Sequence, residues 1–370
     1  MNFLPLYIQY PAWIKPEIFP NVPALGLLRW YGLMYVFAFG TAFFILRKQF
    51  REGALDQKGR LTTEDDVISF IVFGIVCLLI GARIFSTLVY SGEEEYRQKP
   101  WLIFWPFDTK TGKFTGLAGM SYHGGFIGGL LGMIIWCIWH KRPVWQWIDA
   151  MGVSIPLGYT FGRIGNFLNG ELYGRITKAP WGMIFPRAEE VNETFSTSKE
   201  WVQQFAADCN LAIEPGQRFI NLPRHPSQLY EALFEGVVLF VILWLLRKHK
   251  PFDGFLGCIY TIGYGIARFF IEYFRQPDSN LGFRISPTND VSIYTNNSMA
   301  NLSTGQVFCL TMIGFGLVLM LVLFFWDKYK KKNPEKFQYH ETEKDKAKRL
   351  KWEKEEAALK AKAQAKKSKK

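Results

Sequence analysis

Seven apolar blocks of helix-spanning length run through the chain, at about residues 25–46, 67–90, 123–139, 148–161, 229–246, 255–274 and 307–326. The hydrocarbon core of a bilayer is about 30 Å thick and takes roughly 20 apolar residues as helix. Helices satisfy every backbone polar group within the segment, which lipid demands. The blocks therefore predict an all-α polytopic membrane protein with seven transmembrane helices.

Lys and Arg in the short connections set the orientation. Arg47, Lys48, Arg51, Lys58 and Arg60 follow the first block, His140, Lys141 and Arg142 the third, and Arg247, Lys248, His249 and Lys250 the fifth. These connections, and the tail that begins Asp327-Lys328, are expected in the cytoplasm. The loop with Glu93, Glu94 and Glu95 and the long segment 176–228 fall on the other side. The N-terminus is then outside and the C-terminus cytoplasmic. Residues 1–24, rich in Pro and aromatics, read as an interfacial segment, 25–326 as the seven-span domain, 176–228 as a small extracytoplasmic cap, and 327–370 as a basic cytoplasmic tail. The cap is punctuated by Pro180, Pro186, Pro215, Pro223 and Pro226, with an amphipathic helix expected over 189–207.

Charge excludes one class of partner. The net charge is +12, but residues 328–370 hold 16 Lys and one Arg against seven acids, which leaves the body near neutral. Nucleic-acid binding by that body has no support. The tail reads as a solvated helix or disordered segment, or else as a polybasic anchor worth up to about 1 kcal/mol per basic residue near anionic lipid. The five cysteines show neither paired nor metal-type spacing, so no disulfide framework and no metal is expected. The first residues lack a basic region followed by an apolar one, so no cleavable signal peptide is expected.

Against this background the stretch 161–175, Phe-Gly-Arg-Ile-Gly-Asn-Phe-Leu-Asn-Gly-Glu-Leu-Tyr-Gly-Arg, stands out. Each Gly costs about 1 kcal/mol relative to Ala in a helix interior, so four of them predict a departure from regular helix. Irregular backbone at a bilayer is tolerated where it lines a cavity, so the stretch reads as a cavity lining or else as a polar interfacial loop. If its first turns are helical, Arg163, Asn166 and Gly170 share one face. The topology also brings other polar residues to one level: Arg29 and Tyr31, His123, Arg163 to Glu171, Glu231 and Glu235, and Arg268, Glu272 and Arg275. On one helix the last three would lie within about 60° of one another. An arginine at mid-bilayer costs at least about 2.5–3.5 kcal/mol, so Arg268 needs an anion. Either Glu272 supplies it in a structural ion pair, or Arg163 and Arg268 together hold an anionic ligand. Guanidinium binds phosphate through two parallel hydrogen bonds, which makes a phospholipid headgroup the natural ligand. A non-catalytic transporter or lipid-binding protein using the same arginines as an anion site is the competing class. The crowding of polar groups toward the outer face favours an enzyme, because a transporter needs access from both sides. Neither the nucleotide-binding glycine motifs nor the common hydrolase and zinc-protease motifs occur in a suitable context.

Arg163-Ile-Gly-Asn166-Phe-Leu-Asn169-Gly-Glu171-Leu-Tyr-Gly174 resembles the signature of the bacterial prolipoprotein diacylglyceryl transferases. Four further stretches agree in order: Arg29-Trp-Tyr-Gly32, Ser121-Tyr-His-Gly-Gly125, His225-Pro-Ser-Gln-Leu-Tyr-Glu231, and Gly263 through Arg268 and Glu272 to Pro277. The resemblance covers about residues 25–326. The segment 183–224 and the basic tail are left unexplained by it. It implies transfer of the diacylglyceryl group of phosphatidylglycerol to the lipobox cysteine that follows a prolipoprotein signal peptide, giving a thioether and glycerol phosphate. It also implies a multi-pass protein of the bacterial inner (cytoplasmic) membrane that needs no cofactor. By similarity the catalytic residues are His123, Arg163, Arg268, Glu171 and Tyr31. Phosphatidylglycerol would be bound by Arg163, Asn166, Asn169, Gly174, Arg268, Glu272 and Arg275. His123 is the candidate base and the two arginines the phosphate clamp; Glu171 and Glu272 would orient the arginines, or one of them is the base.

Overall fold

A computed structural model of the chain describes residues 7–19, 29–57, 62–91, 94–107, 111–112, 119–276, 282–287, 294–295 and 298–337, with scattered tail residues between 343 and 358. The start of the first apolar block, Lys58, Arg60, Glu93, Pro277 and most of the tail lie outside the described residues. The principal helices are α1 (Trp30–Arg51), α2 (Glu64–Phe85), α3 (Tyr122–Trp139), α4 (Val144–Leu168), α5 (Glu200–Asp208), α6 (Ser227–Leu246), α7 (Phe255–Ile271) and α8 (Thr304–Lys332). Among the described residues five helices are long and apolar enough to cross a membrane: α1, α2 with its extension to Ser91, α3, α6 and α8. The protein is thus a largely helical, multi-pass membrane protein. Helix α4, 25 residues long, is not among those five, and α7 is shorter at 17 residues.

The chain forms two compact units. One comprises residues 45–150 and 328–370. Its centre is the pairing of α2 with α3. Gly124, Gly128 and Gly132 recur every four residues on α3; the first two meet the α2 backbone at Gly81 and Cys77, and Gly132 meets the Cys77 side chain, so closely that an added Cβ has no room. Gly125 and Gly129 face Leu78 at ordinary van der Waals distance. Backbone approach of this kind is how helices gain packing energy in lipid, where burial from water contributes nothing. At one end of α2 a capping box joins Thr63 and Asp66: the Asp66 amide donates to Thr63 Oγ1 at 3.3 Å, and the Thr63 amide donates to Asp66 Oδ2 at 2.9 Å. Arg142 Nη2 reaches the same Oδ2 at 2.7 Å, and both side chains are buried. Arg142, counted in the sequence as a topological charge, is therefore also a structural one. At the other end, Arg83 is buried and donates to the carbonyls of Ile103 and Gly119.

The second unit comprises residues 1–44 and 151–327. Its cap has an apolar core of its own, with Ile176, Phe195, Val202, Phe205, Ala206, Cys209, Ile220 and Leu222 buried together. Strands β3 (Phe195–Ser196) and β4 (Phe219–Ile220) pair antiparallel across it. Strand β1 (Ile8–Gln9) pairs parallel with β2 (Met183–Ile184) and brings Tyr10 into a second cluster with Tyr173, Met183, Phe185 and Ala188. The helix expected over 189–207 is shorter than its apolar spacing promised. Only Arg187–Glu190 and Glu200–Asp208 are helical, because Asn192 turns the chain with a φ of 57° and Phe195–Ser196 enters a strand.

Two further expectations are corrected. The fourth block extends well beyond 148–161 at both ends, and the helix continues through Gly162 and Gly165 to Leu168. A Cβ on Gly165 would press on Tyr31 and Met34 of α1 at 3.3 Å, so the glycine lets two helices approach instead of breaking one. The departure from helix comes at Gly170, whose φ of 65° suits glycine.

Candidate functional site

Three helices of the second unit bring five charged side chains together. From α4 comes Arg163, from the first turns of α6 come Glu231 and Glu235, and from the end of α7 come Arg268 and Glu272. Glu231 is completely buried and is the hub. Its Oε2 lies 2.8 Å from Arg163 Nε and 3.3 Å from Arg268 Nη1. Arg268 Nη1 is also 3.7 Å from Glu235 Oε1, and its Nη2 is 3.1 Å from Glu272 Oε2. The residues 232–238 of α6 are wound as π-helix, a form with i→i+5 hydrogen bonds that is frequent at functional sites. Through it Glu231 and Glu235, four residues apart, reach the same guanidinium nitrogen. Gly236 on this stretch leaves α6 in contact with Thr160 of α4, where a side chain would collide. Tyr159 completes the group: its hydroxyl donates to Glu235, accepts from Arg163 Nε at 2.6 Å, and its ring lies under the Arg163 guanidinium at 4.7 Å.

The Arg268–Glu272 pair raised as one alternative is therefore present, but it is one contact of three. Ser303 Oγ donates to the other Glu272 oxygen at 3.1 Å, and Gly305 packs against the carboxylate. Glu171 behaves otherwise than expected. It does not pair with Arg163 or Arg268; its Oε1 accepts from Asn166 Nδ2 at 3.2 Å and Asn169 Nδ2 at 3.3 Å, and its Oε2 lies 3.4 Å from Arg187 Nη1. Only Asn166, whose Oδ1 is 3.5 Å from Arg163 Nη1, links it to the arginine cluster. The physical reason is the turn at Gly170, which carries Glu171 off the helix face that bears Arg163.

Gly174 and Arg275 sit together through their backbones. The Gly174 amide donates to the His225 carbonyl at 2.8 Å, and the Arg175 amide donates to the Phe274 carbonyl at 2.9 Å. Gly174 and Arg275 form the bridge between these segments, and a Cβ on Gly174 would strike Phe274 and His225 backbone atoms. Three stretches singled out in the sequence thus meet at one backbone junction. Beside it, burial and the nearby Arg175 charge push the His225 pKa down to about 4, and burial lowers Arg175 to about 10. His225 is accordingly neutral at physiological pH.

Tyr31, half-buried on α1, places its hydroxyl 3.1 Å from that of Tyr35 and its ring against Gly165. His123 belongs to the other unit, where it opens α3. It is exposed, and its Nδ1 lies 2.6 Å from the Tyr90 hydroxyl. Four residues that the sequence did not single out as site residues join the network: Glu231, Glu235, Tyr159 and Arg187. Glu231 and Glu235 had been placed at the right level, and Glu231 ends a recognised motif. Tyr159 carried no signal, since a tyrosine in an apolar block reads as packing. Arg187 carried none either.

A family model described as prolipoprotein diacylglyceryl transferase matches residues 20–322. The chain is 53% identical over 321 residues to the phosphatidylglycerol–prolipoprotein diacylglyceryl transferase of Treponema pallidum, an alignment covering 86% of this chain and 96% of the relative. It is 54% identical over 331 residues to the protein of the same description from Treponema denticola, covering 87% and 96%. The one from Chlorobaculum tepidum is 36% identical over 337 residues, covering 90% and 97%. With five ordered motifs in the sequence and a match across nearly all of the helical body, the chain belongs to the prolipoprotein diacylglyceryl transferase family.

Proposed function

We propose that this enzyme transfers the diacylglyceryl group of phosphatidylglycerol to the lipobox cysteine of prolipoproteins, at the outer face of the bacterial inner membrane. Its relatives are named for phosphatidylglycerol and prolipoprotein. The observation that carries the residue assignments is the convergence of Arg163 and Arg268, from two helices, on a single buried oxygen of Glu231. Arg163 donates hydrogen bonds through Nε and Nη1, and both Nη atoms of Arg268 face carboxylates as ion pairs, Nη1 without a hydrogen bond. Among the described residues, Arg163 Nη2 and Arg268 Nε make no such contact, so these N–H groups remain for a phosphate.

The chemistry needs little else. A thiol has an ordinary pKa near 8.5 and attacks as thiolate. The sulfur forms a bond to the glyceryl carbon that bears the phosphate. The carbon–oxygen bond breaks, and its electron pair leaves with glycerol phosphate. Two fixed guanidiniums stabilise the charge that grows on that oxygen, and being preorganised they need not reorient during the step. By resemblance to the family, His123 is assigned as the base that takes the thiol proton, with Glu171 or Glu272 as the alternative. The motif residues Asn166, Asn169, Gly174, Glu272, Arg275 and Tyr31 complete the lipid site. Seven spans with the cap outside follow if α4 and α7 cross with the five helices already long enough. Incubating purified protein with phosphatidylglycerol and a lipobox peptide tests the proposal. Mass spectrometry should find the diacylglyceryl adduct on the cysteine and not on a Cys→Ser peptide, with equimolar glycerol phosphate. An unmodified peptide would refute it.

A further inference from the structure

We propose that Arg187, on the extracytoplasmic cap, is a positioning residue for lipid binding, and that the cap is through it a working part of the site. The inference rests on the reaction proposed above. Arg187 follows Pro186 at the start of a short helix whose root is rigid. Phe185 and Ala188 on either side are fully buried in the cap cluster that includes Tyr10 and Tyr173. From this root Nη1 lies 3.4 Å from Glu171 Oε2 and 3.3 Å from the Asn169 carbonyl. The opposite oxygen of Glu171 accepts from the side-chain amides of Asn166 and Asn169.

Glu171 is thus divided between the cap on one side and the end of α4 on the other. Asn166 passes the constraint on, since its amide nitrogen is spent on Glu171 while its oxygen faces Arg163. Without Arg187, Glu171 keeps only neutral donors. Its charge is then drawn toward Arg163, to which Asn166 links it, and competes there with a lipid phosphate. Arg187 keeps the two apart. The side chain of Arg187 is 39% exposed and that of Glu171 26%, so solvent screens the pair. An effect of about fivefold, not several hundredfold, follows from the modest worth of partly exposed ion pairs.

The test uses the full-length, detergent-purified protein. Arg187→Ala and Arg187→Lys are compared for kcat, for KM toward phosphatidylglycerol, and for melting temperature. Phosphatidylglycerol binding is measured by native mass spectrometry in the same variants and in a Glu171→Gln background. Arg187→Ala should raise KM and weaken lipid binding about fivefold, with kcat and melting temperature little changed, and lysine should recover most of the loss. With Glu171 neutral, adding Arg187→Ala should change lipid binding no further. An unchanged KM, an equal loss in both backgrounds, or a loss that follows melting temperature would each overturn the inference. Wild-type protein that makes no adduct would instead overturn the proposed reaction, so the two failures are distinguishable.

Discussion

Replacing Arg268 by lysine separates a phosphate clamp from a structural ion pair. The arginine fork serves three carboxylates at once, with Nη1 at 3.3 Å from Glu231 and 3.7 Å from Glu235, and Nη2 at 3.1 Å from Glu272. A lysine keeps the charge but concentrates it at one atom. It can sit against Glu231 or Glu272, and it has no counterpart of the Nε–H assigned to the lipid. Losing one hydrogen bond to a charged group costs about 1.5–3 kcal/mol. Arg268 is only 13% exposed, so solvent offers little compensation. At 1.36 kcal/mol per tenfold, kcat/KM should fall roughly 10- to 150-fold. Arg268→Ala leaves Glu235 and Glu272 without their arginine and Glu231 with Arg163 alone, costs about 3–5 kcal/mol, and should abolish detectable transfer and lower the melting temperature. The assay is kcat/KM for phosphatidylglycerol in mixed micelles at saturating peptide, well below the melting transition, with melting temperature recorded on the same samples. If the lysine variant turns over within a few-fold of wild type, Arg268 holds the helices together and does not hold the phosphate.

Other outcomes follow from the geometry. Gly128→Ala should destabilise the protein by about 1–3 kcal/mol, because its Cβ would meet the Cys77 carbonyl and Gly81. Gly129→Ala should be nearly neutral, because its nearest neighbour is the Leu78 Cβ at 3.5 Å; melting curves of the pair decide it. His225 has a folded pKa of about 4, below its ordinary 6.5. The unfolded chain then binds the proton first, so stability is unaffected above pH 6.5 and falls as pH drops toward 4, by at most about 3 kcal/mol. Melting temperatures at pH 7.5 and 5 should show this acid loss in wild type and a smaller one in His225→Gln. A reporter active only outside the cytoplasm should work when fused within 186–215 and fail after Lys332; the reverse pattern would refute the sidedness of the site.

The apolar helices were legible because continuous apolar runs report directly on a lipid environment. What was misread is equally physical. Gly162 and Gly165 argued against helix on intrinsic preference, a matter of about 1 kcal/mol each. At Gly165 tertiary contact outweighs that, as the glycine gives Tyr31 and Met34 room to approach, whereas Gly162 faces open space. The arginines of the site could be read because a guanidinium in an apolar block demands an explanation. Glu231 was harder, since a carboxylate at a helix start reads as an ordinary interfacial charge, and nothing in the sequence reveals that its exposure is zero. Arg187 was illegible, because an arginine in a proline-punctuated loop resembles any other until folding sets it against Glu171. The end of the fourth helix was missed for the same reason: Tyr10, which donates to the Phe167 and Leu168 carbonyls at 2.8 and 3.2 Å, is more than 150 residues away in the chain.

The two helices that bear the paired guanidiniums, α4 and α7, are the two major hydrophobic segments not long or apolar enough to stand among the self-sufficient five. During synthesis this has a temporal meaning. At roughly 5–20 residues per second, Glu231 is made on the order of several seconds after Arg163, and Arg268 later still. If α4 crosses the membrane, over that interval it carries a cation whose buried counter-ion does not yet exist, on a segment with little apolar drive to hold it in lipid. Its final seating must wait for α6, and α7 in turn docks against carboxylates already in place. Assembly of the charged cluster and completion of membrane integration would then be one event, and a chain that fails to build the cluster would also be one the membrane holds incompletely.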